Sequence, residues 1–451
     1  MTMPLPLPRT IKASKVLPKQ IEYLQNSFHG DGMLLSRPGA ELVAAHGEQV
    51  PRGTFVWQNQ LYAVIGSELC LFDGSSLSLA AILPGSNPIR YARGFSMMAI
   101  CAPESQNYTL SMGGALSPVT DSDLPVCRDV ERVDGYFLWV PDNGDPVVFS
   151  AVNDAGDIDP LDYFDAEASP DVNLGVINFR NDLFVFGAET IERFRNVGAE
   201  TAPFVRVAGG MIQAGYVGGK LRSTDTFVWL GKDQDAGYGF FAYVNGTAKR
   251  ISTPAVDEIL EHDYTPTELS RVDAQRLSWR GFDLYVWTLP RHTLCFVGGS
   301  WSYFTSGVDT LGVTPWQYRF ASQFDGNYYA IGDNGLVKLT AAHQDEGQPI
   351  DRRLVTFARS RVDQVFTPDF LRLAASHGLS GGTKTVGLRL SRDGKLWSDR
   401  FYRELGAIGE YEQQLEWRYP GGLGQFDGFM AMEISTGSDC EFAADGAVIG
   451  L

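Results

Sequence analysis

The acidic stretch Asp154-Ala-Gly-Asp157-Ile-Asp159-Pro-Leu-Asp162 carries the hard oxygen donors that a calcium ion takes. It lacks the D-x-[DN]-x-[DN]-G order of a calcium loop, and aspartates grouped in this way more often cap turns. Asp162, Asp165, Glu167 and Asp171 suggest a second chemistry, a carboxylate pair for glycoside cleavage. With 54 Asp and Glu in the chain, groupings of this kind arise by chance. His29, His46, His262, His292, His343 and His377 are scattered without HExxH or any metal-ligand spacing. His292 ends an apolar strand in Leu289-Pro-Arg-His292, the setting of a structural histidine. Ser391-Arg-Asp393-Gly394-Lys-Leu-Trp397 places an Asp and a Trp where they can lock a hairpin. There is no GxSxG, no Walker loop and no GxGxxG after a strand. The Gly-Gly pairs at 209–210, 218–219 and 298–299 read as turns. No catalytic, cofactor-binding or metal-ligating residue is assigned, and no cofactor is expected.

Composition narrows the setting. The 49 glycines and 12% aromatics, without long Ala/Glu/Lys/Leu runs, suggest short strands joined by tight turns, hence an all-β chain. The formal net charge of -17 argues against holding duplex DNA by phosphate neutralisation. It serves solubility, or it makes a channel wall along which DNA slides without sticking. Cys70, Cys101, Cys127, Cys295 and Cys440 are odd in number, widely spaced and free of CxxC. They read as reduced packing thiols rather than a disulfide framework or a zinc site. The start, MTMPLPLPRTIKASK, has no signal-peptide run, and no stretch approaches the ~20 apolar residues of a membrane span. A soluble protein without membrane insertion is expected.

A loose repeat runs through the first three quarters: an aromatic or apolar residue, a turn residue, then an apolar strand. Its copies are Trp57-Gln-Asn59-Gln-Leu61-Tyr62, Ala92-Arg-Gly94-Phe95, Val133-Asp-Gly135-Tyr136-Phe137 and Phe179-Arg-Asn181-Asp-Leu183-Phe184. Trp279-Arg-Gly281-Phe-Asp-Leu284-Tyr285 and Phe324-Asp-Gly326-Asn-Tyr328-Tyr329 follow, and Thr226-Phe-Val-Trp229 fits more weakly. Several copies add a second hairpin, at Gly66-SELCLF, Gly187-AETIERF and Gly332-DNGLVKL. The recurrence, roughly every 35–55 residues, brackets the ~40–50 of a propeller blade. It predicts a β-propeller of six or seven blades over 51–345, in preference to irregular β-sandwiches. Thr253-Pro254 and Thr265-Pro266 each open a short helix, giving a helical insertion near 254–275. Residues 1–50 read as an extended N-terminal segment. HQDEGQPIDRR reads as a linker, and 346–451 as a C-terminal β-sandwich domain.

Two resemblances follow from these residues. The Ser391–Trp397 turn resembles the Asp-box of sialidase propellers, one residue short and present once. It keeps open a carbohydrate-active, sialidase-like reading beside that of a host-receptor-binding propeller. The broader resemblance is to the packaged-DNA stabilisation, or tail-hub (nozzle), proteins of short-tailed bacteriophages. Its first stretch runs through VFSAVND, Asp162, Ala166-Glu167, Pro170-Asp171, Leu183-Phe-Val-Phe-Gly187 and Thr190-Ile-Glu192. Its second is Glu258-Ile-Leu260, Tyr264-Thr265, Glu268-Leu269 and Leu289-Pro-Arg-His292. Its third is Ser391-Arg-Asp-Gly394, Trp397, Arg403, Gly406, Gly409, Tyr411 and Trp417, and Leu35-Ser-Arg37-Pro38-Gly39 is similar to the family's opening turn. The matches are collinear, and only Arg93 to Cys127 is loosely patterned.

This resemblance implies a non-enzymatic structural protein of the virion tail, assembled in the host bacterial cytoplasm. It implies a homo-oligomeric ring, hexameric in the relatives, below the portal and its adaptor protein. The ring would continue the DNA channel, retain packaged DNA until ejection, and seat the tail needle or plug and the tailspikes. DNA would pass through without specific binding.

Overall fold

The structure, a computed structural model, describes residues 2–12, 22–166, 171–307, 314–359, 365–375, 384–410, 415–418, 424–440 and 442–450. Each copy of the repeat is the first hairpin of an antiparallel four-stranded meander. Five of these hairpins turn on two consecutive residues with positive φ: Gln58-Asn59, Asp134-Gly135, Arg180-Asn181, Arg280-Gly281 and Asp325-Gly326. That geometry is the type I′ turn whose twist matches the flanking strands. Gln58 has φ 50° without being glycine, asparagine or aspartate. Gln58→Val puts a β-branched side chain in the left-handed region and should cost about 1–2 kcal/mol in urea unfolding.

Among the described residues, seven such meanders follow one another as blades 1 (51–82), 2 (90–118), 3 (127–164), 4 (173–206), 5 (215–250), 6 (273–304) and 7 (319–340). Blade 2 occupies the loosely patterned region. Its first hairpin is looser, closed by the Gly94 N–H donating to the Met97 carbonyl at 2.9 Å.

The second strand of each blade explains why the blades must stack. In Gln60–Ile65, Leu61, Ala63 and Ile65 enter the core shared with blade 7, while Tyr62 and Val64 enter the core shared with blade 2. Alternation with period two sends successive side chains to opposite faces, and both faces are apolar. The same division holds for Ala99 and Cys101 against Met98 and Ile100, and for Phe184 and Phe186 against Leu183 and Val185. A blade with two apolar faces can bury both only between two neighbours. Each seam therefore holds its own buried cluster, and the last seam, blade 7 against blade 1, closes the circle.

Closure uses the N-terminal part of the chain. Gly39–Ala45 pairs antiparallel with Gly335–Thr340 as the outer strand of blade 7. Before it, Tyr23–Gln25 lies parallel to the outer strand of blade 6, Ser300–Phe304, and antiparallel to Arg352–Arg359. Blade 6 thereby runs on into one nine-stranded sheet through Phe429–Thr436, Thr385–Ser391 and Phe401–Glu404. A second sheet of Ser27–Gly30, Met33–Ser36, Ala444–Gly450, Phe370–Ala375 and Leu415–Arg418 packs over its far part, with Thr2–Leu5 also paired to Ala444–Gly450. Leu24, Leu354, Leu388, Met432, Leu371, Trp417 and Ile449 share the core between these sheets, so the C-terminal unit is a β-sandwich. The first 36 residues contribute strands to that sandwich, and Gln344–Asp345 and Gln348–Pro349 within the polar linker stretch form a small hairpin.

Between blades 5 and 6 lie the helices Pro254–Asp263 and Pro266–Ser270, each with Pro just after a threonine cap. Thr265 and Glu268 form a reciprocal capping box. The helical stretch is shorter than 254–275, because Asp273 already starts the inner strand of blade 6.

Candidate functional site

The first strands of all seven blades surround one axial cavity of about 280 Å³. Several of its polar side chains join neighbouring blades, while Arg276 pairs within blade 6 with Asp283 at 2.7 Å. On blade 3, Asp129 accepts from the Val176 N–H of blade 4 at 2.8 Å, and Lys220 of blade 5 donates to both Asp129 and the Val176 carbonyl. Two residues along each strand the pattern repeats: Glu131 accepts from the Asn178 N–H at 3.1 Å, and Arg222 reaches Asn178 and, at 3.4 Å, Glu131. Burial pushes the Lys220 ammonium below its ordinary range, against the opposing pull of the Asp129 carboxylate. Across blades 6 and 7, Gln275 donates to the Tyr318 carbonyl at 2.7 Å and accepts from the Ala321 N–H at 2.8 Å. Thr54 of blade 1 reaches the Phe320 carbonyl and, at 2.8 Å, Ser322. Charged groups here complete the backbone pairing that a circle of diverging inner strands leaves open.

The positions singled out from sequence serve turns. Asp154 Oδ1 accepts from the Gly156 N–H at 3.0 Å and Asp159 Oδ1 from the Leu161 N–H at 2.9 Å, within the loop before the last strand of blade 3. Burial, then the charges of Asp159 and Asp157, raise the Asp162 carboxyl. Among the described residues no three ligand atoms of this loop converge. Asp171 serves another turn, accepting from the Glu189 and Thr190 N–H groups at 2.7 and 2.9 Å. Gly187 makes room for it, since a Cβ there would lie 2.1 Å from Asp171 Oδ1. Glu167, Pro170, His377 and Tyr411 lie outside the described residues.

In the sandwich, Asp393 Oδ1 accepts from the Lys395 and Leu396 N–H groups at 2.8 and 2.9 Å, and these amides hold its carboxyl below the usual range. The Asp-box-like turn thus lies off the propeller and binds its own backbone. The second family stretch meets itself in space: the Tyr264 hydroxyl is 2.6 Å from His292 Nδ1, and Arg291 covers the Tyr264 ring with its guanidinium carbon 4.6 Å from the centroid. All five cysteines are buried and free.

Burial lowers the His292 pKa, with Asp263 opposing and Arg291 adding to the effect. The unfolded chain then takes up the proton first, so this group's stabilising contribution is present above pH 6.5 and lost as pH falls below it. Melting curves from pH 8 to pH 5 should show this loss in the wild type. His292→Asn, which keeps an acceptor for Tyr264, should remove that component of the decline.

The axial pairs escaped sequence reading because their members lie on different blades, Asp129 and Lys220 being 91 residues apart. A second feature missed is a set of exposed apolar residues in turns at one end of blades 2–4. Phe95 is 81% and Leu161 78% exposed, with Met112, Val152 and Val197 also exposed. These turns join first to second or third to fourth strands, so in a meander they share one face of the propeller. Exposed apolar residues gathered on one face suit contact with another macromolecule.

The chain is 23% identical over 409 residues to the tail hub protein gp10 of Salmonella phage P22, covering 84% of this chain and 83% of that protein. Among solved structures, the extracellular domain of the hybrid two-component system BT4673 from B. thetaiotaomicron is 10% identical, with a TM-score of 0.46 over 77% of this chain and 45% of that one. BamB from Moraxella catarrhalis is 10% identical, with a TM-score of 0.40 over 75% of this chain and 95% of that one. Residues 16–341, the propeller with the segment that closes it, match the family described as Bacteriophage P22 Gp10, beta-propeller, and the chain belongs to that family.

Proposed function

We propose that this chain is the tail hub of a short-tailed phage, a ring of like subunits below the portal and its adaptor. The ring continues the DNA channel, retains the packaged genome until ejection, and seats the tail needle and the tailspikes. The observation that carries this reading is the collinear likeness to the P22 tail hub protein over most of both chains. The fold suits the task. Axial side chains such as Asp129 and Lys220 join blades of the propeller, and the sheet running from blade 6 into the sandwich couples the two units. The exposed apolar turns of blades 2–4 supply a contact face for a neighbour. The net charge of -17 suits a lumen that repels DNA and lowers friction during passage.

A phage defective in this chain tests the proposal. Its heads should fill with DNA and then lose it, and the purified protein should restore retention. Heads that hold their DNA without the chain would contradict the retention role. Light scattering of the purified protein with its adaptor should give one species of six copies, and a monomer there would remove the ring.

A further inference from the structure

The last seam of the propeller contains a group that neither the blade packing nor the proposed function uses. His46 follows the closing strand Gly39–Ala45, and its backbone N–H donates to the Asn334 carbonyl of blade 7 at 3.0 Å. Its side chain reaches over to blade 1, where Glu68 and Cys70 are two apart on the third strand and share a face. His46 Nε2 lies 3.1 Å from Glu68 Oε2 and 3.6 Å from Cys70 Sγ, and Sγ lies 3.9 Å from Glu68 Oε2. Among the described residues this is where three ligand atoms of His, Cys, Asp or Glu converge.

We propose that His46 Nε2, a Glu68 carboxylate oxygen and Cys70 Sγ bind a zinc ion that pins the closing segment to blade 1. Zinc–ligand lengths of about 2.0–2.3 Å at tetrahedral angles require ligand separations of about 3.3–3.6 Å, and the three atoms stand within a few tenths of an ångström of that. Thiolate, imidazole and carboxylate together favour zinc over the hard cations. His46 Nδ1 faces both the Glu48 N–H at 3.1 Å and the Glu48 carbonyl at 3.4 Å, so the ring has a partner in either tautomer and can turn the Nε2 lone pair to the ion. The Glu68 side chain is 34% exposed and the His46 side chain 10%, which leaves an entry path and a fourth position for water. On binding, the Cys70 S–H proton passes to solvent and an S–Zn bond forms. The spacing rules that argued against a zinc site could not detect this one, because ring closure assembles it from two blades.

The test uses the full chain with cobalt(II) as a spectroscopic substitute for zinc. One cobalt per chain should bind with the thiolate-to-metal charge-transfer absorption of a tetrahedral sulfur-ligated site, and zinc should displace it. Cys70→Ser should abolish the band. His46→Asn, at a side chain outside the blade cores, should weaken binding at least tenfold while leaving circular dichroism unchanged. Zinc should also raise the thermal midpoint of the wild type reversibly, and not that of His46→Asn. A folded wild type without the charge-transfer band, or equal affinity in His46→Asn, overturns the proposal.

Discussion

Replacing Arg37 with alanine should lower the unfolding free energy by about 3–5 kcal/mol, the scale of a buried ion pair broken on one side. Arg37 is 2% exposed and its side chain is fully engaged. Nε donates to Asn26 Oδ1 at 2.8 Å, and Nη1 to the Pro38 carbonyl at 2.7 Å and Asp345 Oδ1 at 3.0 Å. Nη2 donates to the Thr305 carbonyl at 2.8 Å and Asp345 Oδ2 at 2.5 Å. These acceptors belong to the N-terminal segment, the end of blade 6 and the hairpin after blade 7, so one guanidinium ties together the junction of propeller and sandwich. Asn26 extends the tie by donating to the Asp351 carbonyl at 2.7 Å. Alanine strands the Asp345 carboxylate, itself 7% exposed, without its cation. Urea unfolding followed by tryptophan fluorescence reads the loss directly, since Arg37 lies 5.4 Å from the Trp316 ring centroid. Arg37→Met combined with Asp345→Leu should recover most of it, because the penalty comes from the unpaired charge. A single variant within about 1 kcal/mol of wild type would give the pair the worth of an exposed bridge and refute this account.

Lys220→Met should cost a similar amount, about 3–5 kcal/mol, for the same reason at the propeller axis. The Asp129 side chain is 6% exposed and would keep the Val176 N–H at 2.8 Å as its hydrogen-bond partner and the charge of Arg90 as a neighbour. The Val176 carbonyl would lose its side-chain donor too. The next rung supplies the control: the Arg222 side chain is 48% exposed and stands 3.4 Å from Glu131, so Arg222→Met should cost under about 1 kcal/mol. Adding Asp129→Asn to Lys220→Met should restore part of the loss by removing the stranded charge. Equal effects of Lys220→Met and Arg222→Met would mean that water reaches both rungs alike.

The parts of the fold legible in the sequence are those set by neighbours along the chain. Asp134-Gly135 takes positive φ because of its own residue types, and it marks a hairpin wherever the blade goes. Thr265 and Glu268 cap a helix across one turn. Alternation in Gln60–Ile65 says that both faces are buried, and hence that the hairpins stack.

Tertiary structure alone decided which edges meet. The closing role of Gly39–Ala45 depends on the edge that blade 7 leaves open, some three hundred residues later, and the Arg37–Asp345 pair spans 308 positions. Lys220 reaches Asp129 across two blades, and His46 reaches Cys70 across the seam, because a circle brings its ends together. Local backbone preferences are written in adjacent side chains. Long-range pairing is set by which surfaces remain unburied after the nearer ones have packed, and residue spacing carries no mark of that outcome.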